Sequence, residues 1–174
     1  ARIGWVVLIG LSVYYLYRAI RFRFFTEGAL GPDFLNKQFW FYAHLLAAIP
    51  IVIGAPLQFS TRLRLKFPGF HRVLGRVYVA GASIAALTAI FLGATIELEG
   101  SRLPIVLLGG VWLFFTLAAW RTAVNRDYQA HRLFMIRSYG LALVLVWLRL
   151  LGDIPPDVLF FYISDEAIRD TTLE

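Results

Sequence analysis

The chain has 174 residues, of which 59% are hydrophobic and 16% charged, with a mean hydropathy of +0.68. A soluble domain averages about 45–50% apolar and about 25% charged residues, so this composition excludes an ordinary water-soluble fold. The absence of cysteine excludes a disulfide framework, a zinc–thiolate site, an iron–sulfur cluster and a cysteine nucleophile. The formal charge of +6 sits at the flanks of apolar stretches, the pattern of membrane topology and headgroup contact rather than of nucleic-acid binding.

A transmembrane helix needs about 20 mostly apolar residues. Five stretches meet or approach that length: 3–20, 38–59, 71–95, 103–121 and 133–151. The expected fold is therefore all-α, an integral membrane bundle of about five transmembrane helices over 1–152, followed by an acidic tail over 153–174. The chain opens on Ala-Arg rather than Met, as a processed or truncated product would. Its first apolar run has no small-residue cleavage site after it. The first stretch is slightly short, with Arg18 placed to snorkel. The second carries Pro50 and Pro56, each of which removes a backbone donor, so a bent helix is expected. The third carries Gly81, Ala85, Ala89 and Gly93 at intervals of four, a small-residue stripe that lets helices approach closely and makes this helix the expected centre of the bundle. The fourth places Trp112 near its middle, where the indole N–H needs a partner unless the ring simply packs against the core or lipid. The fifth ends at Asp-Ile-Pro-Pro-Asp, and the acidic, aromatic tail beyond it suits either the outer membrane surface or a neighbouring subunit.

The loops assign the two faces. One face holds the N-terminus and the 60–70 and 122–132 loops. It carries Arg2, Arg62, Arg64, Lys66, Arg72, Arg76, Arg121, Arg126, Arg132 and Arg137 against the single acid Asp127. The opposite face carries seven basic and ten acidic residues, among them Arg18, Lys37, Glu97 and the acids of the tail. Positively charged loops stay in the cytoplasm, which predicts a cytoplasmic N-terminus and an extracytoplasmic tail. Trp5 and Trp120 fall at the basic interface, and Trp40 and Trp147 at the other, as interfacial indoles do.

All three histidines fall near helix starts. His44 lies a turn into the second stretch, while His71 and His131 open the third and fifth on the basic side. The two basic-side contexts run in parallel: His71-Arg72, then Arg76 and Tyr78, against His131-Arg132, then Arg137 and Tyr139. Arg76 and Arg137 lie more than a turn inside their stretches, where an arginine is costly and usually has a partner or a function. The motifs HRxxGRxY and HRxxMIRS, with His44, Gly54 and Gln58 upstream, resemble a bacterial family of multi-pass membrane proteins catalogued as a domain of unknown function. The resemblance covers roughly residues 38–150 and implies a four- or five-helix bundle in a bacterial cytoplasmic membrane, with these His and Arg positions as its signature.

The candidate binding residues are therefore His71, His131, Arg76, Arg137 and Gln58. Three readings of them stand. Two imidazoles on separate helices can ligate a b-type haem, with arginines for its propionates. Helix N-termini and arginines can hold a lipid headgroup or small anion. Alternatively, the His-Arg turns cap helices and fix their ends. Catalytic and metal residues are not expected: there is no His-Glu-x-x-His, no Gly-x-Ser-x-Gly and no phosphate-binding glycine loop. No carboxylate falls inside any stretch, which argues against proton-coupled transport. The expected function is a non-catalytic accessory or scaffold subunit of a larger bacterial membrane assembly, respiratory or photosynthetic, in contact with lipid and other membrane subunits. No cofactor is favoured; a b-type haem redox protein and a lipid or small-anion binding protein are the alternatives.

Overall fold

The computed structural model describes residues 2–25, 37–95 and 102–144, with Trp147, Leu150, Leu151 and Ile154 beyond them. The chain divides into two units, 1–144 and 145–174. The account below concerns the first. Residues 26–36 and 96–101 and all of 145–174 but those four, the expected acidic tail among them, lie outside the described residues.

The described chain is helical, without a strand. In order run α1 (Arg2–Phe25), α2 (Gln38–Gln58), α3 (Thr61–Lys66), α4 (Pro68–Thr95), α5 (Arg102–Val124) and α6 (Tyr128–Ala142). Among these residues α2, α4 and α5 are long and apolar enough to cross a membrane. At 24 residues α1 has the length for a span. The fifth expected span, 133–151, is described as continuous chain only to residue 144.

Local chemistry sets the helix ends. Proline at the first position of α4 has no N–H to waste there and presets the helical φ. The short α3 is capped by Ser60, whose Oγ accepts from the Leu63 N–H at 3.3 Å. Between α5 and α6 only Asn125, Arg126 and Asp127 intervene. Arg126 adopts a left-handed φ of 61°. Its N–H reaches the Ala123 carbonyl at 3.1 Å, and the Asp127 N–H reaches Thr122 at 2.9 Å, the paired bonds of a Schellman turn. Asp127 then caps α6, its Oδ1 accepting from the Ala130 N–H at 3.1 Å.

The bundle is organised about α4, which packs most extensively on α2 and on α5; α5 packs in turn on α6, and α1 lies against α2. The small-residue stripe serves both neighbours of α4. A Cβ at Gly81 would stand 3.0 Å from the Ala47 carbonyl of α2, and one at Gly93 would run into Ile105 of α5. Ala85 is fully buried and Ala89 half-buried, while Ala82 and Ala86, outside the expected stripe, are fully buried too. From α5, Gly109 answers with an equally close approach to Ile90 and the Ala86 carbonyl. Close backbone contact of this kind replaces the hydrophobic effect, which does not drive helices together in lipid. α2 remains helical through both of its prolines. At the basic end α6 closes back toward α2, where the rings of Phe59 and Tyr139 sit 5.6 Å apart.

Candidate functional site at the basic end of the bundle

The polar side chains inside the bundle clamp one helix to the next. On α2, His44 donates from Nδ1 to the Ala85 carbonyl of α4 at 2.8 Å, with the Thr88 hydroxyl at 3.2 Å. Lys37 reaches from the start of α2 to the Thr95 carbonyl at the end of α4. At the other end of the same pair, Gln58 donates from Nε2 to the His71 carbonyl at 2.9 Å. On α6, His131 donates from Nδ1 to the Ala119 carbonyl of α5 at 2.8 Å.

The deepest of these contacts joins three helices. The hydroxyls of Tyr78 on α4 and Ser138 on α6 are 2.9 Å apart, and those of Ser138 and Thr116 on α5 are 2.8 Å apart. Tyr78, Thr116 and Ser138 are each at most 1% exposed. Thr116 donates to the Trp112 carbonyl of its own helix at 2.9 Å. With that proton committed, Thr116 must accept from Ser138, and Ser138 from Tyr78. The chain of hydroxyls therefore has one direction. Trp112 is buried in the core, and its indole N–H lies beside the Tyr78 hydroxyl without reaching good hydrogen-bond geometry.

The five candidate residues separate into two groups. Gln58, His71 and His131 share the region where α2 ends and α4 and α6 begin. His71 lies within electrostatic range of His131 and Arg64, and its Nδ1 is buried with no hydrogen-bond partner among the described residues. Arg76 and Arg137 are exposed instead. Five residues along a helix turn Arg76 about 140° away from His71, so the arginine leaves the face that the histidine occupies. Arg137 is likewise about 120° from His131, its guanidinium over the rings of Phe115 and Phe134. The parallel His, Arg and Tyr positions of the two motifs thus have parallel fates: histidine and tyrosine inward, arginine outward.

Ser138, Thr116 and Thr88 also make interior polar contacts, beyond the five candidate residues. Ser138 follows His131 by seven residues, two helical turns on the same face, and that spacing was the available signal. Thr116 and Thr88 are indistinguishable by sequence from hydroxyls that bond back to their own helix, which both also do.

The basic end is electrostatically one-sided. Arg62, Arg64, Lys66, Arg72, Arg76, Arg121, Arg126, Arg132 and Arg137 are all exposed. The single carboxylate among the described residues, Asp127, is engaged in capping α6.

Long apolar helices, small-residue crossings and satisfied interior hydroxyls define an all-α membrane protein. Residues 41–168 match the family described as "Predicted membrane protein (DUF2306)", and the chain belongs to that family. No curated protein and no solved structure matches it.

Proposed function

We propose that this protein is a non-catalytic multi-pass subunit of a larger assembly in the bacterial cytoplasmic membrane, of the energy-transducing kind, respiratory or photosynthetic. Its basic end faces the cytoplasm and its acidic tail the outside. The observation behind this reading is the use made of the interior polar groups. His44, Gln58, Tyr78, Thr116, His131 and Ser138 each join one helix to another, which is the chemistry of a scaffold. A surface carrying Phe39, Trp40 and Phe114, all exposed, gives other membrane subunits aromatic area to pack on.

The test is isolation from the native membrane in mild detergent at native expression, followed by native electrophoresis and quantitative mass spectrometry. The expected result is comigration with a redox-active complex at fixed stoichiometry. A chain that migrates alone at its own mass refutes the subunit reading.

One observation favours a second reading, a b-type haem protein. The His131 bond to Ala119 commits Nδ1–H and leaves the Nε2 lone pair for a ligand, as second-shell bonds do for metal-bound imidazoles, with His71 nearby. A reduced-minus-oxidised spectrum decides between the two. Stoichiometric haem in the wild type, lost in both His71→Ala and His131→Ala, would establish the redox reading.

A further inference from the structure

Arg137, which makes none of the interhelical hydrogen bonds described above, carries a further site. It stands six residues beyond His131, about 9 Å further along α6 toward the middle of the bundle. Its guanidinium lies 5.6 Å from the Phe115 ring centroid and 5.9 Å from that of Phe134, and those rings are 6.1 Å from each other. Phe115 belongs to α5 and Phe134 to α6, so the two rings form a platform across the seam between the helices. The side chain is exposed on the outer surface of the pair. Among the described residues the one carboxylate, Asp127, is engaged in capping α6.

The surroundings of the guanidinium suit an amphiphile. One turn deeper on the same face of α6 is the exposed Gly140, with no described residue within 4 Å of where a Cβ would stand. One turn deeper on α5, four residues before Phe115, is the exposed Val111. An open, apolar strip thus continues from the cation toward the membrane centre. In the other direction the long Arg side chain reaches toward the headgroups, its stem covering apolar surface. A fork of N–H donors held beside aromatic faces matches a phosphate bidentately, which a lysine at the same position does not.

We propose that Arg137, seated on the Phe115–Phe134 platform, holds the phosphate of an anionic phospholipid whose acyl chain runs along the α5–α6 seam past Val111 and Gly140. The lipid headgroup is the source favoured over free phosphate, because the cation opens onto an apolar strip and not onto a polar pocket. The proposal stands whether the protein is a scaffold or a haem carrier.

The probe is phosphatidylglycerol, against phosphatidylcholine as the neutral lipid and glycerol 3-phosphate as the soluble headgroup. Retention is measured by native mass spectrometry of the full chain in mild detergent. The wild type is expected to retain one phosphatidylglycerol, at least tenfold in preference to phosphatidylcholine. Arg137→Gln should lose that retention about tenfold, Arg137→Lys and Phe134→Leu several-fold, and Arg132→Gln, on the same helix but off the platform, not at all. Circular dichroism confirms that each variant is folded, and the wild-type comparison of the two lipids needs no variant. Equal retention of the two lipids overturns the proposal, as does unchanged retention in Arg137→Gln. Displacement of the lipid by millimolar glycerol 3-phosphate overturns the lipid as the source and assigns the site to soluble phosphate.

Discussion

Ser138→Ala tests the three-helix contact most severely, and the direction of the hydroxyl chain dictates how. The substitution removes the bonds to Tyr78 and to Thr116 together. Interhelical hydrogen bonds in membranes average about 0.6 kcal/mol, with a maximum near 1.7. The larger effect is the Tyr78 O–H, left without an acceptor at a position 1% exposed, where an orphaned hydroxyl costs about 1–3 kcal/mol. The expected loss is about 2–3 kcal/mol. Tyr78→Phe removes a donor and leaves behind only a spare lone pair on Ser138, for about 0.6 kcal/mol. Thr116→Val takes away an acceptor, but the Ser138 hydroxyl can turn back to a carbonyl of its own helix, so about 1 kcal/mol is expected. The double variant Tyr78→Phe/Ser138→Ala has no orphaned donor. It should therefore be more stable than Ser138→Ala alone, by about 1 kcal/mol. Reversible unfolding in mixed micelles, followed by circular dichroism, measures all four. A double variant less stable than Ser138→Ala would show that the hydroxyls do not act as a directed chain.

Three further outcomes follow from the fold. Ala85→Leu should destabilise the bundle by about 1–3 kcal/mol through overpacking against α2, and Ala118→Leu, only half-buried on α5, by far less; equal melting midpoints in detergent would contradict this. Arg126→Gly should raise stability by up to about 1 kcal/mol, since glycine adopts the left-handed φ of 61° without strain, while Arg126→Val should lower it; a drop for both in equilibrium unfolding speaks against a strained turn. Single cysteines at 65 and 168, probed on intact cells with an impermeant thiol reagent, should label at 168 and not at 65, and the reverse pattern would invert the proposed topology.

Hydropathy located the long helices well, because a bilayer demands an unbroken apolar run that little else in a sequence imitates. The stretches 38–59, 71–95 and 103–121 became α2, α4 and α5 with ends moved by a few residues. The errors sit where helices continue into water. α6 begins at Tyr128 rather than 133, since the Asp127 cap lets it start before its residues turn apolar. At the other end of the chain α1 carries on through Arg21 and Arg23 to Phe25, past the expected end at 20. The six-residue α3 falls within the stretch that hydropathy assigns to a loop, being too short for any period to show, and Ser60 is its clearest sign. The small-residue stripe revealed that α4 is central but not that it serves two partners. The candidate site was legible as residue types and not as directions. His71 and Arg76 belong to one motif, and only the turn of the helix sends them to different faces.

The hydroxyl chain from Tyr78 to Trp112 also bears on proton movement. A conducting relay passes a proton only if every member can release one at its far side. This chain ends on a peptide carbonyl, which accepts a hydrogen bond but has no proton of its own to hand onward. Ser138 and Thr116 have their protons already directed toward that terminus, and restoring them after a transfer would require three buried hydroxyls to reverse together in a packed interior. This buried line of hydroxyls is therefore a blind alley for protons, and a bundle built around it can stand beside an ion gradient without leaking it by this route.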